Sequence, residues 1–222
     1  MKNGGSMSEI TRLIAEPASA VICLFLVWFM IKPYRLTGDT RFLGLPLGFG
    51  FMAISHIIAA TVAISKEVSW FMLLFRTFSF VFIATTYFFS EMSSKKTQYL
   101  WNISISALIV VLIGLSLVVV VAPQSVWEND AGAQIYSRIF MEIFLCYIIV
   151  HSIRNHIEKP DPTTIWIPFG FIFLALSQYS FLLFYIDNSF AAFWGAIVFR
   201  FVGLIVFLVV AYQTFYRSKE CE

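Results

Sequence analysis

Charge is scarce in this chain. Asp, Glu, Lys and Arg make up 13% of its 222 residues, where a soluble domain carries about 25%. The net charge of +2 sits in short loops rather than on one face, which argues against a nucleic-acid partner. Cysteine is scarce too. Cys23 and Cys146 fall in apolar runs and Cys221 in the tail, with no CxxC pair and no Cys/His ligand spacing. That excludes an extracellular disulfide framework and a cysteine metal site. Catalytic signatures are missing: there is no GxSxG, no HExxH and no phosphate-binding glycine loop. His56 has no second histidine near it in depth, because His151 and His156 fall toward the other end of the spans. Neither metal, haem nor any other cofactor is expected, and the sequence speaks against an enzyme.

What is present is apolar. Hydrophobic residues make up 59% of the chain, and the mean hydropathy is +0.83. Seven runs can be marked at roughly 18–34, 44–65, 69–90, 100–122, 134–152, 163–186 and 191–215. Each has about the length needed to cross a bilayer as a helix. Backbone groups in lipid must be paired within the segment, and no short alternating segments suggest a β-barrel. The expected fold is therefore all-α, a polytopic bundle of seven membrane helices. Such spans use most of the chain and leave no soluble catalytic domain.

Residues 1–17 are polar, carry Glu9 and Glu16, and do not have the form of a cleavable signal peptide. They read as an exposed extracellular lead-in. Lys and Arg set the expected orientation. With the N-terminus outside, nine of them are cytoplasmic: Lys32, Arg35, Arg41, Lys95, Lys96, Arg154, Lys159, Arg217 and Lys219. Four are outer: Lys2, Arg12, Lys66 and Arg138. This bias predicts a cell-membrane protein with its C-terminus in the cytoplasm. Trp101, Trp127, Trp166 and Trp194 fall near span ends, where they suit interface anchoring. Gly114 and Gly203 read as small residues that permit close helix contact.

An internal repeat is also expected. Residues 45–55 read LPLGFGFMAIS and residues 167–177 read IPFGFIFLALS, identical at six of eleven positions without a gap. Each copy opens a helix with a proline, Pro46 or Pro168, where the missing N–H costs nothing. His56 and Gln178 follow at matching places, and the next helix of each unit holds one arginine, Arg76 or Arg200. The chain then divides into a unit over 18–92, a connector helix with its outer loop over 93–133, a second unit over 134–216 and a tail over 217–222. The two units would be parallel, three helices each, in a 3+1+3 plan.

Seven helices in two similar units resemble in outline the SWEET sugar transporters and the microbial rhodopsins. Retinal needs a lysine inside the last helix, and no lysine here lies inside a span. The SWEET prolines interrupt the first helix of each unit, whereas Pro46 and Pro168 open the second. No family assignment follows.

Ionisable groups inside spans are costly and mark candidate sites. Four fall in one outer-half layer, His56, Arg76, Glu142 and Arg200, and Gln178 joins them as a neutral partner. Arg76 is about 10 Å below the outer face, and Glu142 and Arg200 about 12–14 Å. Glu142 is expected to pair with Arg138 one turn earlier or with Arg76 or Arg200 across the bundle. Two arginines and one glutamate leave a positive charge unmatched, since arginine does not readily lose its proton. Thr85, Thr86 and Ser79 are expected to bond back to their own helix. The reading is a membrane protein that binds a small polar or anionic solute, for transport or sensing, with lipid as its surroundings. The rival is an accessory subunit of a larger membrane complex, packed against other subunits or a second copy.

Overall fold

Long apolar runs with few charges fold as helices in a membrane because only a helix pairs every backbone N–H and C=O within its own segment. The computed structural model describes residues 3–61, 67–90, 95–121, 130–158, 160 and 165–215, with side chains from 13, 69, 96 and 132 onward in the helices that begin earlier. The predicted outer loop over 122–129, Lys66 and the tail over 217–222 lie outside the described residues, as do Lys159 and Asp161.

Eight α-helices follow one another: α1 (Asn3–Met30), α2 (Lys32–Thr37), α3 (Gly44–Thr61), α4 (Glu67–Ser90), α5 (Lys95–Val121), α6 (Asp130–Glu158), α7 (Trp166–Asp187) and α8 (Phe190–Phe215). A 3₁₀ turn, Thr40–Leu43, leads into α3. Among the described residues seven segments are long and apolar enough to cross a membrane, and α2 simply prolongs the first of them. The first span starts earlier than hydropathy suggested, at Leu13, so Glu16 belongs to it rather than to an exposed lead-in. A run of polar residues masked that start: α1 is already helical when it reaches the apolar stretch.

Six helices close a ring in the order α1, α3, α4, α6, α7, α8, with α8 returning to α1. The seventh span, α5, stands outside against α4 and the 3₁₀ turn. Its most apolar window is 6% buried, against 28–50% in the other spans. Gly114 faces open space there, so it is not the close-contact residue it seemed. Gly203 is: a Cβ on it would lie 2.9 Å from the carbonyl oxygen of Gly170 on α7. Trp101 is not an interface anchor. It is 2% exposed, donates from Nε1 to the Thr40 carbonyl at 3.1 Å and stacks edge-on to Phe89, which pins the start of α5 to the bundle. Trp166 and Trp194 remain exposed at span ends.

Inside the ring the lower part is a dry plug. Cys23, Leu26, Phe49, Phe80, Leu145, Phe171, Leu204 and Phe207 come together from all six helices. The rings of Phe49 and Phe171 both meet Phe207, at 5.5 and 4.6 Å between centroids. In lipid this packing is dispersion and fit rather than hydrophobic exclusion. Thr85, Thr86 and Ser79 do return hydrogen bonds to Val81, Phe82 and Arg76 of α4, as expected. Lys32 donates to the Phe215 carbonyl at 2.7 Å, placing a cation at the negative end of α8.

Candidate functional site

The plug ends where the buried charges begin, on the side of the bundle where α1 enters. Glu16 is their hub. Its Oε1 accepts from Arg200 Nη1 of α8 at 2.8 Å, and its Oε2 lies 2.5 Å from His56 Nδ1 of α3. Arg76 Nη2 of α4 is 3.6 Å from the same Oε2. One carboxylate thus ties α1 to three other helices. The short contact assigns the imidazole proton: a nitrogen so close to a carboxylate oxygen must donate, so Nδ1 carries the hydrogen. The 3.5 Å approach of Arg76 Nη2 to that nitrogen is then proximity between two donors.

A second pair stands across the ring. Arg138 of α6 donates from Nη1 to Gln178 Oε1 of α7 at 2.6 Å. Its guanidinium lies over the ring of Phe181, 4.5 Å from the centroid, and near Tyr185 at 5.3 Å. Arg200 approaches the same Phe181 ring at 5.8 Å. All six polar side chains are buried, from Arg138 at 1% exposed to Glu16 at 6%.

Four of the five residues singled out in sequence therefore join this layer: His56, Arg76 and Arg200 around Glu16, and Gln178 on Arg138. Of the three partners expected for Glu142, Arg138 is the one whose charge reaches it. Glu142 makes no ion pair with Arg76 or Arg200 among the described contacts, and one of its oxygens is buried without a hydrogen bond. The charge acting on it is that of Arg138, one turn away on α6. The physical reason is that Glu16 already occupies the space between the two arginines. Two residues were missed. In sequence Glu16 reads as part of the exposed lead-in and Arg138 as an outer-side charge at the start of the fifth span, because both lie where polar sequence meets apolar sequence. Their spacing held the missing signal: Glu16 precedes His56 by 40 residues, and Arg138 precedes Gln178 by the same number.

Among the described residues, three arginines share the layer with Glu16 and Glu142, three positive groups against two carboxylates. Among the described residues, Arg138 Nε and Arg200 Nε and Nη2 are buried N–H groups without a hydrogen-bond partner. Such atoms forfeit hydration without compensation. No known protein-family model, curated protein or solved structure matches this chain.

Proposed function

We propose that the chain is an integral membrane protein whose buried arginine layer binds a small anionic or polar solute, for transport or for sensing. The observation that carries this reading is the buried guanidinium of Arg200, whose Nε and Nη2 have no hydrogen-bond partner among the described residues. Charges at such depth are retained where they meet partners or substrates. Arg76, Arg200 and Arg138 would attract the solute, Glu16 would orient Arg76 and Arg200, and His56 and Gln178 would hold the two outer members in place.

Burial of Arg138 sharpens the loop-charge count. Without it three basic residues, Lys2, Arg12 and Lys66, stand on the N-terminal side against nine on the other. This supports an N-terminus outside and a C-terminus in the cytoplasm, with the layer in the outer half. The two-unit plan also has support. Shifting α1, α3 and α4 three places round the ring lays them on α6, α7 and α8. The pairs Glu16–His56 and Arg138–Gln178 then coincide, each bonded between the first and second helix of its unit. In transport, rocking of such units would carry the layer past the apolar plug. In sensing, the same movement would be passed to a signalling partner.

The rival reading, an accessory subunit, rests on α5, whose faces are almost wholly exposed. The test is melting of the purified protein against a panel of small anions and cations, followed by flux into proteoliposomes for any solute that binds. A saturable rise in melting temperature with an anion, lost in Arg200→Gln, is the expected result. No shift with any solute, together with co-purifying membrane subunits, would favour the accessory role.

A further inference from the structure

Arg200 is engaged on one corner only. Nη1 donates to Glu16, while Nε and Nη2 have no hydrogen-bond partner among the described residues although the side chain is 3% exposed. Those two N–H groups lie on one edge of the planar guanidinium and point the same way. That edge grips a planar oxyanion with two parallel hydrogen bonds. Arg138 approaches the same Phe181 ring, at 4.5 Å from its centroid against 5.8 Å for Arg200, and its Nε has no hydrogen-bond partner among the described residues. Phe181 in turn packs in an apolar cluster with Ala15, Phe193, Ala196 and Ile197.

We propose that the Nε/Nη2 edge of Arg200, together with Arg138 Nε, takes the carboxylate of a small monocarboxylate whose body is apolar. This rests on the solute-site reading above and names its ligand class. Three features select a carboxylate. It brings one negative charge to a layer whose described residues set three arginines against Glu16 and Glu142. Its two coplanar oxygens match one guanidinium edge, as Glu16 already meets the opposite corner. The apolar cluster around Phe181 suits a hydrocarbon body and offers no donors for the further oxygens of a phosphate or sulfate. Arginine is required because lysine presents a point charge without the paired edge.

The experiment uses the full chain in detergent or nanodiscs, with sodium butyrate, sodium benzoate, inorganic phosphate, sulfate and chloride as probes. Binding is read by melting temperature and by titration calorimetry. Butyrate or benzoate is expected to bind saturably, and Arg200→Lys to weaken it about tenfold or more through loss of a charge-assisted hydrogen bond. Phosphate, sulfate or chloride binding in place of carboxylate would overturn the ligand class and leave the anion site standing. Carboxylate binding unchanged in a folded Arg200→Lys would overturn the assignment to this edge. Silence from every anion would remove both readings. Should Arg200→Lys fail to fold, wild-type crystals grown with iodobenzoate decide the matter by iodine's anomalous signal. Its carboxylate within hydrogen-bonding distance of Arg200 Nε supports the proposal, and any other location overturns it.

Discussion

Glu16 Oε1 and Arg200 Nη1 meet at 2.8 Å across 184 residues of chain, joining the first membrane span to the last. The bond closes the ring of six helices at the level of the charged layer. Removing Glu16 leaves Arg200 charged and buried without that acceptor, and removing Arg200 strips Oε1 of its donor while His56 and Arg76 stay at Oε2. Glu16→Gln and Arg200→Gln should each destabilise by about 3–5 kcal/mol. The double variant should cost less than the two together, by about 0.5–3 kcal/mol. Equilibrium unfolding in mixed micelles measures both quantities, and strict additivity would mean that the two side chains do not meet.

Much of this architecture was legible because membrane burial leaves coarse marks in sequence. Long apolar runs are unambiguous, and His56, Arg76, Gln178 and Arg200 stood out as polar residues within them. Glu16 and Arg138 did not stand out, since hydropathy cannot tell a polar residue at the mouth of a span from one in a loop. Which carboxylate answers which arginine is a matter of helix rotation. A rotation of about 100° per residue separates Glu142 from its neighbours in the chain, and run-length reading does not carry that angle.

Glu142 supplies a contrasting test. With no contact to Arg200 among the described residues, Glu142→Gln and Arg200→Gln should add within about 0.5 kcal/mol. The same micelle unfolding assay applies. A coupling well above that range would place Glu142 in the ionic network after all.

Two glycines separate packing from propensity. Gly203→Ala forces a Cβ against the Gly170 carbonyl and Leu174, and should destabilise by about 1–3 kcal/mol. Gly114→Ala meets nothing within 4 Å and should be neutral or stabilising, by up to about 1 kcal/mol from helix propensity. Melting temperatures of the two variants should move in opposite directions or differ sharply. Equal losses would contradict the outside position of α5.

Asp39 offers a test in the loop before α3. Its Oδ1 accepts from the Arg41 N–H at 3.0 Å, and its Oδ2 from Arg41 Nη2 at 2.7 Å. The hydrogen-bonded Arg41 side chain holds the carboxyl below the ordinary carboxylate range. A lowered folded value means that the cap stabilises at neutral pH and loses its effect as pH falls through that value. Asp39→Ala should therefore cost about 1 kcal/mol at neutral pH and progressively less in acid. A pH-independent difference would assign the loss to packing.

The helix that buries least decides the direction of everything after it. Because α5 makes one further crossing, the chain returns to its starting side before α6 begins, and Arg138 arrives at the level of Glu16 and Arg200. Excising that single return stroke would reverse the insertion of the last three helices. Arg138 and Gln178 would then surface at the far leaflet, and Glu16 would lose the guanidinium that now answers it. A segment with few neighbours of its own thus sets the parity on which the entire charged layer depends.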